Sequence, residues 1–326
     1  MKRQKKIQKA AYIGVILILL LVIGYSGLQI LESTVSYSGQ AEENTVQSKT
    51  VFRDETAYYP RQDITVIMLL GIDESGPVQA SGSYNNTGEA DMVSLLICDE
   101  RDQQIRLLNL NRDTMLKIPV LGLNGRQAGT VTGQLALAHT YGSGLEDSCE
   151  NTRTAVSDFL YGIRIDHYIS VNMDAIEILN DAVGGVRVTV TDDFSGIDAG
   201  IPMGEHVLTG GQAMTFVRSR KNLGDQMNLS RMERQNRYLE GFLQAMKEQN
   251  SDSFVMSVYE QVAPYVVSDC SANLISSMLR RYGEYTLGEI RTVPGENRLG
   301  REYYEFYVNE AALEELVLEL FFAPKP

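Results

Sequence analysis

Residues 64–73 read ITVIMLLGID, a continuous apolar run rich in β-branched side chains that ends on a carboxylate. A short run with no polar alternation suits a strand buried on both faces, as in a layered α/β protein. Working outward, MVSLLICD (92–99) and IRLLNLNRD (105–113) are separated only by ERDQQ, so a hairpin is expected there. TGQLALAHTYG (132–142) and NTRTAVSDFLYGI (151–163) have helical patterning, HYISVNM (167–173) suits a strand, and DAIEILNDAVGG (174–185) a helix stopped by glycine. VRVTVTDD (186–193) alternates as a half-buried strand does. Helices are expected to dominate 210–279, followed by strands in EIRTVPG and EYYEFYVN and a last helix in EAALEELVLELFF. Strands and helices mixed in this way predict an α/β domain built on a mixed sheet.

Upstream of this domain, Lys2, Arg3, Lys5, Lys6 and Lys9 precede an apolar segment from about Ala10 to Leu28, near the length that crosses a bilayer. The basic flank predicts a cytoplasmic N-terminus with the rest of the chain outside the cell. A cleaved signal peptide is the rival reading, disfavoured by the long apolar run and the lack of an A-x-A site. The expected layout is a basic tail (1–9), a signal-anchor helix (10–31), a polar stalk (32–62) and one domain (63–326), with a motif core at 65–250 and an extension at 251–326. Cys98 is expected to be a buried small side chain, while Cys149 and Cys270 are available to pair in an oxidising compartment.

The whole chain carries −13; without the five N-terminal cations the remainder carries −18. So acidic a domain is a poor general binder of nucleic acid. Yet FVRSRKNLGDQMNLSRMERQ (216–235) gathers Arg218, Arg220, Lys221, Arg231 and Arg234. Ser230 and Glu233 form a capping-box pattern that predicts a helix start at Ser230. Arg231 and Arg234 would then lie in the first turn, where an exposed cation costs roughly 0.3–1 kcal/mol against the helix dipole. An anion held by the guanidinium groups and free N–H groups would reverse that cost. The bland alternative is pairing with Glu233 or Asp225 on a solvated surface. Arg218 and Arg220 close the preceding helix, where cations suit the dipole.

A second set of candidates sits at strand ends: Asp73 after ITVIMLLGI, Asp91 opening the second strand, and Arg112 with Asp113 ending the third. Strand ends beside loops commonly build ligand sites in α/β sheets. Aspartates near phosphate suit a hard cation such as Mg²⁺, although any one alone is more often turn chemistry. His139, His167 and His206 lack the spacing of a local zinc motif, and neither a Walker A loop nor a G-x-S-x-G elbow is present.

The ordered segments VIMLLGID, ADMVSLL, LNLNRDTMLKIP, LALAHTYGSG, IDHYISVNM, LNDAVGGVRVTV, LTGGQAMTFVRSR and SRMERQ, behind an N-terminal anchor, resemble the LytR–CpsA–Psr family of bacterial envelope proteins. The resemblance covers about Thr65 to Tyr238. It implies an α-β-α sandwich and a Mg²⁺-dependent phosphotransferase that moves a teichoic acid, capsular or related glycopolymer from a polyprenyl-pyrophosphate carrier to peptidoglycan. It also implies a cell-membrane protein with an extracellular domain, of a Gram-positive bacterium. Asp73 and Asp91 match the family's metal-associated aspartates. Arg112, Arg218, Arg220, Arg231, Arg234 and Gln235 match its pyrophosphate-facing positions, with Arg112, Arg218, Arg220, Asp73 and Asp91 expected to be catalytic.

Three positions depart from the family pattern. Glu89 stands where many members have arginine, Gln134 begins QLA in place of K-I-N, and Asn228 replaces a common aspartate for which Asp225 is the other candidate. These departures lower the positive charge near the expected site. They keep two alternatives open: a non-catalytic polyprenyl-phosphate binder that regulates or scaffolds envelope assembly, and a lipid-pyrophosphate hydrolase.

Overall fold

The computed structural model describes residues 51–53, 56–219, 227–248, 258, 260–270, 274, 277–278, 281–282, 285–301 and 303–324. The expected tail, signal-anchor and first part of the stalk lie outside the described residues, as do Arg220 and Asp225. Among the described residues no helix is long and apolar enough to cross a membrane.

In chain order the first strands are β1 (Val51–Arg53), β2 (Thr56–Pro60), β3 (Ile64–Ile72), β4 (Ala90–Asp99), β5 (Gln104–Leu110), β6 (Met115–Leu121) and β7 (Gln127–Gln134). After α1 (Glu146–Phe159) come β8 (His167–Asn172), α2 (Asp174–Ala182), β9 (Val186–Val190), β10 (Gly204–Leu208), α3 (Gly210–Arg218) and α4 (Met227–Glu248). The chain continues through β11 (Val266–Ser268), β12 (Thr286–Thr292), β13 (Gly295–Leu299), β14 (Tyr304–Val308), α5 (Glu310–Phe321) and β15 (Phe322–Pro324). The central mixed sheet has the strand order β11–β8–β3–β4–β5–β12, so the run that opened the sequence reading is an interior strand. Val66, Ile67, Met68 and Leu70 are almost wholly buried, as that reading requires.

The described residues fall into two compact units. The first comprises Gly71–Val78 and Ile169–Leu287. In it α2 ends at Gly184 and Gly185, both at positive φ (78° and 96°). A Cβ at Gly185 would lie 2.9 Å from the Leu208 carbonyl oxygen, so the turn into β9 needs glycine. Val186, Val188 and Val190 face inward while Arg187 and Thr189 face out, matching the alternation in the sequence. Gly241 lets α4 lie against β9, because a Cβ there would overlap the Arg187 carbonyl oxygen. Thr209 and Gln212 close a capping box at the start of α3, and Asp181 Oδ1 accepts from the Gly210 amide at 2.8 Å.

The second unit holds the described residues before Gly71, then Gln79–Tyr168 and Gly288–Pro326. The expected hairpin is β4–β5, running from Val93↔Leu110 to Asp99↔Gln104, with Gln103 at φ 49° in its turn. Three differences from the sequence reading stand out. The helix expected over 132–142 is the end of β7 followed by a 3-10 helix, Leu135–Tyr141. Pairing of Thr132 and Gly133 with β6 extends the strand, and Asn151 Nδ2 takes the Ala138 carbonyl at 2.8 Å, a tertiary pull on a segment without a side-chain cap. The stalk stops short of residue 62: Thr56–Pro60 is strand β2, paired with the C-terminal β15 through Phe322↔Pro60. A polar-looking segment is held there by a partner more than 260 residues away, which local periodicity does not register. The third concerns the cysteines, which are all buried with no disulfide between Cys149 and Cys270. Burial pushes the Cys98 and Cys270 thiols up to about 12.

Beneath the entry to β3, Arg61 is buried and gives two bonds to Asp99 at 2.7 Å and two to Asp63 at 2.9 Å. Arg106 adds a close contact to Asp99. This network closes the β4–β5 turn.

Candidate functional site

Arg112 follows β5 in a tight turn. Thr114 donates through its amide and its hydroxyl to the Asn111 carbonyl, and the Asp113 amide donates to Asn111 Oδ1 at 3.0 Å. The turn aims a guanidinium only 7% exposed at three carboxylates. Its Nη1 meets Asp91 on β4, its Nη2 lies 2.5 Å from Glu89 Oε2, and its Nε lies 3.3 Å from Asp113 Oδ1. Gln134 Nε2 also reaches Asp113 Oδ1, at 3.3 Å. Two of the three family departures are therefore contacts of this cluster. Glu89 is directly bound to Arg112, and Gln134 supports the neighbouring aspartate.

The loop carrying Glu89 is fixed from behind. Asn86 Nδ2 reaches the His139 and Gly142 carbonyls at 2.8 and 2.9 Å, and His139 Nδ1 lies 2.8 Å from the Gly88 carbonyl. His139 thus helps to hold the loop that carries Glu89.

The first unit holds the other half of the expected constellation. Asp73 sits just past β3, in a loop held by the Met173 amide to the Glu74 carbonyl (3.0 Å) and the Gly76 amide to Asp174 Oδ2 (2.7 Å). Arg218, the last residue of α3, donates from Nη2 to Asp73 Oδ1 at 2.7 Å and is half-exposed. The pairing places a half-exposed cation beside a carboxylate at a strand end.

Arg234 behaves differently. It is 0% exposed, and its Nε donates to the Phe216 carbonyl at 3.0 Å, its Nη2 to the Ser219 carbonyl, and its Nη1 to Asp192 Oδ2 at 3.0 Å. Its guanidinium also lies 5.9 Å from the Phe194 ring centre. Burial, opposed in part by Asp192, pulls its pKa below the usual arginine value. Arg234 caps the carbonyl end of α3 and so fixes the helix end that carries Arg218. Arg231 is also buried, and Gln235 is half-buried beside them.

The helix carrying these residues starts at Met227, not at Ser230. Met227 and Leu229 are good helix formers and extend the helix backward. Asn228 lies in its first turn. Arg231 and Arg234 therefore fall beyond the first four residues, where the dipole penalty has faded. Asp192, just past β9, was missed by sequence reasoning; its only signal was the Asp-Asp pair ending VRVTVTDD.

The sequence model of the LytR_cpsA_psr family matches residues 27–321. The chain belongs to the LytR_cpsA_psr family. Among its relatives, the polyisoprenyl-teichoic acid–peptidoglycan teichoic acid transferase TagU of Enterococcus faecalis is 28% identical over 273 residues, covering 83% of this chain and 81% of TagU. The protein of the same name from Halalkalibacterium halodurans is 28% identical over 261 residues, 79% of this chain and 78% of that one. Bacillus subtilis TagV has the same fold, with a TM-score of 0.60 at 22% identity over 80% of this chain and 96% of TagV. The LytR_cpsA_psr match begins well upstream of β1 and ends with α5, so β13 and β14 lie inside it.

Proposed function

We propose that this LytR_cpsA_psr protein transfers a glycopolymer from a polyprenyl-pyrophosphate carrier to peptidoglycan. The carrying observation is the Arg112 turn, a buried guanidinium held in one orientation by three carboxylates. Phosphoryl transfer needs charge neutralised on phosphate oxygens by pre-positioned donors, which such a group supplies. Arg218, half-exposed on its Asp73 anchor, is a candidate phosphate ligand within its own unit. In the reaction an acceptor hydroxyl oxygen bonds to the sugar-side phosphorus, the bond to the carrier phosphate breaks, the hydroxyl proton passes to water, and polyprenyl phosphate leaves. The relatives named as teichoic acid transferases support this reading.

A Mg²⁺ ion belongs to the same proposal. The donor set fits it: Glu89, Asp91 and Asp113 around one guanidinium leave an excess of two negative charges and oxygen donors only. Asp91 would hold the ion, and Asp73 is a candidate cation ligand within its own unit. When bound, Mg²⁺ supplies neutralisation of phosphate oxygens. The proposal also includes the α-β-α layering, the signal-anchor at 10–31, a cell-membrane location with the domain outside, and a Gram-positive source. An anchor would hold the domain near its lipid-borne donor and raise the effective concentration.

A second reading, a polyprenyl-phosphate binder without turnover, is favoured by the Glu89 contact, which occupies one edge of Arg112. The two separate in one assay. The full chain in nanodiscs is supplied with a polyprenyl-pyrophosphate oligosaccharide, Mg²⁺ and peptidoglycan, and glycan-linked product is followed by mass. Polymer joined to peptidoglycan supports transfer. Saturable donor binding with no product overturns it in favour of the binder, and free saccharide phosphate without acceptor points to hydrolysis.

A further inference from the structure

One short element grips the Arg112 cluster from two sides. The 3-10 helix Leu135–Tyr141 follows β7; at its start the Leu135 amide donates to the Thr114 carbonyl and the Ala136 amide to the Arg112 carbonyl, both at 2.9 Å. At its far end the Asn86 amide donates to the Thr140 carbonyl at 2.9 Å, and Asn86 Nδ2 reaches the His139 and Gly142 carbonyls. Gly88 is held at both of its polar atoms. Its amide donates to Asn86 Oδ1 at 2.7 Å, and its carbonyl lies 2.8 Å from His139 Nδ1. A carbonyl only accepts, so His139 carries a proton on Nδ1. The residue after Gly88 is Glu89, whose carboxylate sits on Arg112.

The helix type matters to this grip. Ala136 and His139 are three residues apart, so a 3-10 helix places them on one face about 6 Å apart. In an α-helix the same step rises about 4.5 Å and swings His139 about 60° off that face. One turn of 3-10 helix therefore sets the Arg112 backbone and the Gly88 carbonyl in a fixed register. His139 is 2% exposed, and Ala136 and Ala138 are fully buried, so packing locks the helix as well. Among the carboxylates on Arg112, Asp91 lies within β4 and Asp113 within the turn itself. Glu89 precedes its strand and is partly exposed, so its hold depends on where the Gly88–Glu89 backbone is kept.

We propose that His139 is a positioning residue that keeps Glu89 on Arg112 and so sets the affinity for the anionic pyrophosphate donor, a role that rests on Arg112 being the phosphate ligand of the transferase reading above. With Gly88 held, the Glu89 carboxylate competes with phosphate oxygens for one edge of the guanidinium. With Gly88 released, that edge is more open to phosphate but the guanidinium is less firmly aimed. Donor affinity and turnover therefore move in opposite directions. His139 acts through Gly88 and Glu89 and is not itself catalytic.

The test titrates the full chain in nanodiscs with the polyprenyl-pyrophosphate oligosaccharide and Mg²⁺, and follows transfer in parallel. His139→Gln keeps most of the side-chain volume but moves the N–H away from the Nδ1 position. It is expected to tighten donor binding about 2- to 3-fold and to lower kcat roughly 10-fold. His139→Asn returns an N–H near that position and should restore parental binding and turnover. In a Glu89→Gln background, His139→Gln should add nothing further to donor affinity, because the competing charge is already gone. Unchanged or weaker donor binding in His139→Gln overturns the role, since general damage to the fold loosens a site rather than opening it. Additive effects of the two substitutions overturn it too. Where His139→Gln does not fold, His139→Phe supplies a side chain without the N–H, and failure of both to fold leaves His139 a packing residue only. Coupling to Glu89 without any transfer product keeps the positioning role and removes the transferase reading; product without coupling does the reverse.

Discussion

Arg112 and Arg234 are both buried arginines on family motif positions, yet they are held by opposite kinds of partner. Arg112 faces carboxylates alone, from Glu89, Asp91 and Asp113. Arg234 faces one carboxylate and two backbone carbonyls at the end of α3. Carboxylates are charges that a cation or a phosphate can rearrange, whereas helix-end carbonyls have no second use. The first arrangement suits a group kept ready for a ligand; the second builds a wall. Side-chain type and burial are the same in both places, so the partners decide the role.

The largest expected effect follows from breaking the Arg112 side. Arg112→Ala should lower transfer by about 10²–10³-fold, the usual loss when one pre-positioned donor to a developing oxyanion is removed. The melting temperature should change much less than activity, and a variant that simply unfolds would place Arg112 with Arg234. Next comes Arg234→Ala, expected to cost about 3 kcal/mol of stability because it leaves two helix-end carbonyls and Asp192 without their donor. Urea unfolding of this variant would check the value. Full stability together with lost donor affinity would show that Arg234 binds ligand after all.

This contrast also marks the limit of what could be read in the sequence. The interior strand Ile64–Ile72, the β4–β5 hairpin, the glycine stop of α2 and the alternation of β9 were legible because each follows from local periodicity or a local steric need. The pairing of Thr56–Pro60 with Phe322–Pro324 was not, since its information lies at the other end of the chain. The Arg112–Asp91 and Arg218–Asp73 pairs each join residues that the sequence placed at strand and helix ends. The division of labour between Arg112 and Arg234 was not, because it depends on which carbonyls and carboxylates the fold brings up to each guanidinium. Asp192 had only the Asp-Asp pair ending VRVTVTDD as its signal, and the Phe306 amide that donates to the Asp113 carbonyl had none.

A third buried arginine sharpens the comparison through pH. Burial alone would raise the Asp99 pKa, but hydrogen bonds from Arg61, the Asp102 amide and Arg106 bring it well below the usual carboxylate range. The Arg61 hydrogen bond likewise lowers Asp63. Both folded pKa values are depressed, so their stabilisation is fully present above the unfolded value near pH 4 and is lost as pH falls below it. Thermal midpoints should be flat from about pH 5 to 8 and decline below about pH 4. Asp99→Asn should lower the midpoint at neutral pH and flatten the acid decline. A decline equally steep in Asp99→Asn would remove this network as its source.

The smallest effect is the most discriminating. Glu89 is 39% exposed in its side chain and holds only one edge of Arg112, so their pairing is screened and worth roughly 0.5–1 kcal/mol. If Arg112 is reserved for phosphate, Glu89 competes with the ligand, and Glu89→Gln should tighten donor binding by about 2- to 5-fold. Stability should hardly move, because Asp91 and Asp113 still hold the guanidinium. If Arg112 is instead a wall residue like Arg234, the same change should leave donor affinity alone and lower the melting temperature. A titration with the polyprenyl-pyrophosphate oligosaccharide and a melting curve on one variant thus assign Arg112 to one class or the other. The outcome also says whether an acidic residue at a family arginine position weakens the grip on the donor.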